Sequence, residues 1–294
     1  MSEPRRYRVR HSTTYSYSDK VTSSYGRAFL TPRNGAGQRL LDHDIHIDPV
    51  PSDRSVGADV YGNISSYFHV TDEHRTLEIT GESTVEVDPP PAHPAEIAWE
   101  KARPTAVTGP LAVEFTLDLR PPEITDEVTA YAAESLTPGR PLFDAVAELT
   151  SRINADFAYR SGSTTVSTRV ADVFAARAGV CQDFARIGAA CLRSHGLAAR
   201  YVSGYLATDP PPGKERMVGA DATHAWAAVW MPDDGWIGFD PTNDQFADER
   251  YVTVAWGRDY ADVPPLRGII YTDAEDSSIS VSVDVAPLEA SFDA

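Results

Sequence analysis

The feature that most constrains this chain is the alternation of apolar and polar residues through its first third. Aromatic and β-branched residues alternate with polar ones in four segments, at residues 7–17, 42–47, 64–70 and 76–87. A period of two places the apolar side chains on one face of an extended strand. Turn-forming residues separate the segments at 32–35 (PRNG) and 61–63 (YGN). Short strands at this spacing predict an antiparallel, β-sandwich-like region.

A run of prolines ends the alternation. Residues 88–94 read DPPPAHP, and proline offers no backbone N–H to a sheet and fixes its own φ angle. Beyond the run, apolar residues recur at steps of three and four, the spacing of one helix face. The members of this stripe are Leu142, Val146, Leu149, Ile153 and Phe157. The pattern predicts a helix with Pro141 in its first turn, and a shorter helix over 126–135.

Together these patterns predict an α+β chain in three parts. Residues 1–88 form the β region, and residues 89–122 form a proline-rich linker or wrapping segment. Residues 123–294 form a mixed core with a C-terminal extension, in which strands at 201–206 and 224–240 follow the helices. The run SISVSVDV near the C-terminus is predicted to be an edge strand.

Two cysteines occur in the chain, and their surroundings differ. Cys181 follows a glycine turn and precedes an amphipathic stretch that Gly196 ends, so we expect it at a helix N-terminus. Free N–H groups and the helix dipole at that place favour a thiolate and can bind an oxyanion. Cys191 lies ten residues further on, roughly 15 Å along the helix axis. It is predicted to be a buried core residue that cannot pair with Cys181.

A predicted hairpin brings a histidine and an aspartate to one face. His224 begins the strand HAWAAVW, and Asp240 ends the strand WIGFD after the turn MPDDG. Two registers are open: Trp230 can pair with Asp234, which sets His224 opposite Asp240, or with Trp236, which makes them diagonal neighbours. The Cβ atoms are then about 5 Å or about 7–8 Å apart. In either register the aspartate can fix the histidine tautomer and stabilise the imidazolium.

These segments resemble the bacterial transglutaminase-like superfamily. The resemblance rests on GVCQD at 179–183, GLAARYVSGY at 196–205, HAW at 224–226 and DPTN at 240–243. The motifs HSTTYSY at 11–17, LTPR at 30–33 and YGN at 61–63 are similar to the N-terminal region that accompanies this core in bacterial members. The resemblance implies a papain-like core with Cys181 as nucleophile, His224 as general base and acid, and Asp240 as the orienting carboxylate.

The resemblance also implies the chemistry. A Cys181 thiolate would attack an amide carbon of a peptide or glutamine-type substrate and form a thioester. The backbone N–H of Cys181 would be one oxyanion donor, and Tyr159 is a candidate for the second. Eukaryotic transglutaminases use a tryptophan upstream of the cysteine, whereas no tryptophan lies between Trp99 and Trp226 here. We therefore expect hydrolysis rather than cross-linking; the alternative is a binding or scaffold protein that retains the fold without turnover.

The remaining expectations concern partners and location. The net charge of −17 argues against nucleic acid and against an anionic membrane surface. No secretory signal and no run of about 18 apolar residues is visible, so we expect a cytoplasmic protein with a peptide or protein substrate; its oligomeric state is left open. No cofactor or metal is expected, because the cluster DHDIH at 42–46 is interpreted as solvated strand residues. Arg186 is predicted on the solvent side of the nucleophile helix.

Overall fold

The computed structural model describes residues 3–35, 37–90, 96–208, 223–233 and 235–288. Its first unit is a seven-stranded antiparallel sheet built around one long strand, β1. The strands are β1 (Arg5–Ala28), β2 (Gln38–Asp48), β3 (Asp53–Ala58), β4 (Ile64–Val70), β5 (His74–Val87), β13 (Leu266–Thr272) and β14 (Ser277–Leu288). The order is β2-β5-β1-β4-β3, and β13 and β14 also pair with β1. The four alternating segments lie within β1, β2, β4 and β5, and the predicted α+β class with an antiparallel N-terminal region is confirmed.

The C-terminal strands complete this sheet. β13 pairs with the second half of β1, and β14 pairs with its first half, both antiparallel. The segment at 266–288 thus runs back along almost the whole of β1. Alternation in the sequence shows which residues share a face, but it does not identify the neighbouring strand, so this return was not predicted.

The second unit is a five-stranded antiparallel sheet with helices packed on it. Its order is β11-β10-β9-β8-β12, and a two-stranded parallel pair, β6 and β7, lies beside it. The strands are β6 (Ala158–Tyr159), β7 (Ala178–Gly179), β8 (Ala199–Leu206), β9 (Thr223–Met231), β10 (Gly235–Asp240), β11 (Gln245–Phe246) and β12 (Tyr251–Gly257). The helices are α1 (Asp126–Ser135), α2 (Leu142–Asp156), α3 (Val170–Ala176) and α4 (Cys181–Ser194).

Helix packing follows the apolar stripe predicted for α2. Leu142, Val146, Leu149 and Ile153 are fully buried, and they share one core cluster with residues of α1, α4 and β9. Pro141, predicted within the first turn of α2, lies immediately before it as the N-cap residue. The segment between the units contains two short 3₁₀ helices, Trp99–Ala102 and Pro110–Thr116, which bury apolar side chains against the core. None of the helices in the described ranges combines the length and the apolar character needed to cross a membrane.

The two units are joined by side chains of the N-terminal region that bind the backbone of β12. Gln38 donates from Nε2 to the carbonyl of Thr253 (2.8 Å), and its Oε1 accepts from the Thr253 N–H (2.8 Å). Asn63 does the same with Trp256, at 2.8 Å to the carbonyl and 3.0 Å from the N–H. An apolar cluster that includes Val9 of β1 fills the space between the units. β12 is therefore the strand of the second unit that the N-terminal region binds through side-chain hydrogen bonds.

Candidate active site

The nucleophile candidate stands at the first position of α4, as predicted. Val180 is the N-cap residue, and its N–H donates to the Asp183 carboxylate at 2.9 Å. Thr164 donates to the same carboxylate oxygen at 2.6 Å, which ties the preceding loop to the helix start. A Cβ at Gly179 would lie 2.9 Å from Asp183, so this position requires glycine. These contacts fix the turn that presents Cys181 at the positive end of the helix.

The histidine and the aspartate come together through the second of the two open registers. Trp230 pairs with Trp236 across the β9–β10 hairpin, which makes His224 and Asp240 diagonal neighbours. His224 Nε2 lies 2.7 Å from Asp240 Oδ2. The Cys181 side chain also acts on the imidazole and contributes to raising its pKa. Because Nε2 faces the carboxylate, Nδ1 is the ring nitrogen left for the thiol.

The electrostatics of this cluster favour a protonated histidine. Burial alone lowers the pKa of His224, but the hydrogen bonds and charges of Asp240 and Cys181 outweigh it and raise the pKa to about 9. Burial raises the pKa of the fully enclosed Asp240, yet the hydrogen bond and charge of His224 lower it below its ordinary value. At neutral pH the arrangement is therefore a carboxylate beside an imidazolium that faces the cysteine.

Three further donors hold the Asp240 carboxylate, and sequence reasoning assigned none of them a role. Asn243 Nδ2 donates to Oδ2 at 2.7 Å, and the backbone N–H of Thr242 donates to Oδ1 at 2.9 Å. The buried Tyr251 hydroxyl donates to Oδ2 at 2.8 Å. Thr242 and Asn243 lie two and three residues after Asp240 in the DPTN motif, and this proximity in sequence could have indicated them. Tyr251 lies on β12, which is not a neighbour of β10 in the sheet, so no local pattern points to it.

The two remaining residues singled out from the sequence, Tyr159 and Cys191, lie in different environments. Tyr159 lies on β6, opposite Gly179 of β7, with its side chain 58% exposed. Burial of its hydroxyl and the charge of Cys181 raise the pKa of Tyr159, so its hydroxyl stays protonated near the nucleophile. Cys191 is fully buried, and burial raises the pKa of its thiol to about 12. Both cysteines are free, and Cys191 is a core residue.

The prediction for Arg186 is wrong. Its side chain is only 8% exposed, and its Nε lies 2.8 Å from Asp259 Oδ1. Its Nη2 lies 3.3 Å from Glu123 Oε1. The face of α4 that the helical pattern assigns to solvent is covered by the segment around Glu123 and by the loop after β12. Arg186 is thus a buried ion-pair centre on α4, five residues after Cys181.

Within the described ranges, no group of three or more His, Cys, Asp or Glu residues is arranged to hold a metal ion. His43 of the DHDIH cluster is half-buried rather than solvated, which corrects that part of the interpretation. Its two ring nitrogens lie within hydrogen-bonding distance of Thr31 (2.9 Å) and Ser83 (2.8 Å). Thr31, in the segment after β1, and Ser83 on β5 therefore account for the polar atoms of the His43 ring.

A helix that carries a cysteine, packed on an antiparallel sheet that carries a histidine and an aspartate, is the arrangement of a papain-like fold. Two family models match the chain: the bacterial transglutaminase-like N-terminal region over residues 7–86, and the transglutaminase-like superfamily over residues 129–241. An uncharacterized protein of Mycobacterium tuberculosis is 63% identical over 98% of this chain and 95% of its own length. The chain belongs to the transglutaminase-like superfamily.

Two further proteins, one compared by sequence and one by structure, are similar to this chain. A protein-glutamine gamma-glutamyltransferase of Pseudomonas aeruginosa is 37% identical over 109 residues, which cover 36% of this chain and 16% of that protein. The crystal structure of a candidate cysteine protease from Cytophaga hutchinsonii superposes with a TM-score of 0.77 at 21% identity. The alignment covers 99% of this chain and 93% of that structure, which confirms the fold along its length.

Proposed function

We propose that the protein is a thiol-dependent acyl-transfer enzyme that acts on peptide or glutamine-type amides, and that it transfers the acyl group to water. One observation carries the proposal: Cys181 lies at the N-terminus of α4 and acts on His224, which is hydrogen-bonded in turn to Asp240. A nucleophile, a proton carrier and a group that orients the carrier are the parts that acyl transfer through a covalent intermediate needs.

The proposed steps use only these groups and water. The Cys181 thiolate adds to the amide carbon, and the resulting oxyanion is held by the backbone N–H of Cys181. The carbon–nitrogen bond breaks as the His224 imidazolium gives its proton to the departing amine. Water then attacks the thioester and loses a proton to His224, and the acid product leaves as the thiolate is restored. Asp240 keeps the imidazolium oriented throughout.

Tyr159 is proposed as the second oxyanion donor. Its strand pairs with Gly179, two residues before the nucleophile, and the charge of Cys181 acts on its hydroxyl. Replacing Tyr159 with phenylalanine removes the hydroxyl and keeps the ring. Loss of one oxyanion donor lowers kcat by about 100- to 1,000-fold. If Tyr159→Phe keeps the kcat of the unmodified protein, the second donor lies elsewhere.

Alkylation tests whether the site is active. The chain supplies its own control, because Cys181 and the buried Cys191 are the two cysteines present. We expect iodoacetamide to label Cys181 much faster than Cys191 near neutral pH, and His224→Ala to slow that labelling. Peptide mapping by mass spectrometry reads both sites in one sample. Equal, slow labelling of both cysteines would support the non-catalytic alternative.

A second experiment separates hydrolysis from transfer. The protein is incubated with a library of glutamine-containing peptides and a primary amine, and the products are weighed by mass spectrometry. Acid products are expected, whereas amine adducts would show that the thioester is resolved by transfer. Cys181→Ala is the matched control and should give neither product. If the unmodified protein also gives neither product, the substrate class is wrong.

A further inference from the structure

A continuous chain of side-chain hydrogen bonds connects Asp240 with the protein surface. Tyr251 donates to Asp240 Oδ2 at 2.8 Å, and Gln245 Nε2 donates to the Tyr251 hydroxyl at 2.6 Å. Arg250 Nη2 donates in turn to Gln245 Oε1 at 3.0 Å. Asp248 holds the Arg250 guanidinium, with its Oδ2 2.6 Å from Nη2. From Arg250 to Asp240, each side chain donates a hydrogen bond to the next one in the chain.

Burial increases along this chain toward the catalytic cluster. The side chains of Arg250 and Asp248 are 32% and 29% exposed, and Gln245 is half-buried. Tyr251 is 3% exposed and Asp240 is fully buried. Hydrogen bonds that share one direction polarise one another, most strongly away from water. The cationic end at the surface therefore strengthens the donation from Tyr251 to the buried carboxylate.

We propose that Tyr251, supported by Gln245 and Arg250, is a positioning residue. It orients Asp240 Oδ2 toward His224 and lowers the affinity of the His224 imidazole for its proton. The inference rests on the proposed function. Oδ2 accepts from His224 and from Tyr251 at the same time. A second donor on one oxygen draws negative charge away from the first, so the imidazolium gives up its proton to the departing amine more readily.

Ionisable groups face His224 from three elements: Cys181 on α4, Asp240 on β10 and Tyr251 on β12. Asn243 is an uncharged third donor to Oδ2 and remains in place when the tyrosine hydroxyl is removed. Removing the Tyr251 hydroxyl therefore leaves the Asp240 carboxylate oriented, but more of its negative charge then acts on the His224 imidazolium. The expected consequence is a higher pKa for His224 with the hydrogen-bonded pair still formed.

The test is an NMR titration of the His224 Cε1–H resonance in the full chain, assigned by its loss in His224→Gln. For Tyr251→Phe we expect the midpoint to rise by about one pH unit, which is about tenfold in proton affinity. Gln245→Leu and Arg250→Met should raise it by successively smaller amounts. With turnover established, Tyr251→Phe should lower kcat about tenfold while KM stays the same.

Tyr61→Phe is the matched control, because the Tyr61 hydroxyl also donates to a carboxylate, Glu114 Oε1 at 2.8 Å, outside the site. The midpoint of the His224 titration in Tyr61→Phe should equal that of the unmodified protein. An unchanged or lowered midpoint in a folded Tyr251→Phe protein would overturn the proposal, with folding checked by thermal unfolding. The titration needs no substrate, so slow alkylation of Cys181 would refute the proposed function without deciding this result.

Discussion

The contact between Asn63 and β12 permits a quantitative prediction about how the two units depend on each other. Asn63 is fully buried, and its amide is bonded to both the N–H and the carbonyl of Trp256. Arg33 also donates to the Asn63 carbonyl oxygen. Replacement by alanine removes all of these bonds, and the space left does not supply new partners for the backbone of β12.

The cost follows from the groups left without partners. A buried donor or acceptor that loses its partner costs about 1–3 kcal/mol. Two backbone groups of Trp256, each near the middle of that range, give a loss of about 4 kcal/mol in the free energy of unfolding for Asn63→Ala. Native domains are stable by roughly 5–15 kcal/mol, so this variant should remain folded but much weakened.

Urea unfolding provides the assay, with tryptophan fluorescence and Cys181 alkylation as separate probes. Because the N-terminal region is hydrogen-bonded to β12, we expect both probes to report a single unfolding transition. Its midpoint should shift to a lower urea concentration in Asn63→Ala. Asn34→Ala is the control, since Asn34 is exposed and such surface changes stay within about 0.5 kcal/mol. A loss below about 1 kcal/mol, or a core transition unaffected by the substitution, would refute the reasoning.

Three further predictions concern the core. His224 has a pKa of about 9, above its ordinary 6.5, so its contribution to stability is complete below pH 6.5 and is lost as the pH rises through 9. The unfolding free energy of the protein relative to His224→Gln should therefore fall by about 3 kcal/mol between pH 6 and 10, and a constant difference would contradict it. Gly204→Ala should destabilise by about 3 kcal/mol in thermal unfolding, because its Cβ would lie 2.1 Å from a backbone carbonyl oxygen of β12. Gly57→Ala, which meets open space, should have little effect. Arg186→Met should cost about 3 kcal/mol in urea unfolding, because Asp259 loses its cationic partner while Glu123 keeps Arg169. Lys20→Ala at an exposed ion pair should cost at most about 1 kcal/mol.

Local periodicity predicted the elements that depend on neighbours in sequence. The helix expected over 126–135 matches α1, Asp126–Ser135, because the N-cap and the apolar spacing are both local. Cys181 lies at the start of α4 for the same reason. The hairpin placed His224 and Asp240 on one face in either register, so their contact did not depend on which register forms.

Contacts between distant segments could not be predicted in this way. An amphipathic pattern distinguishes buried from polar faces, but Arg186 is a charged residue on a face that a distant loop covers, and its carboxylate partners offset the cost of burial. The pairing of β14 with β1 joins opposite ends of the chain. Alternation fixes which side of β14 is apolar without specifying the strand it joins.

β12 connects the N-terminal sheet with the proposed active site. The buried Asn63 and Gln38 side chains hold the backbone of this strand at Trp256 and Thr253. At the first residue of the strand, Tyr251 donates to the Asp240 carboxylate that is hydrogen-bonded to His224. A displaced β12 would withdraw that hydroxyl while leaving the β9–β10 hairpin intact. The N-terminal sheet thus supports the site by fixing the strand that carries Tyr251, although it contributes no member of the cysteine–histidine–aspartate set.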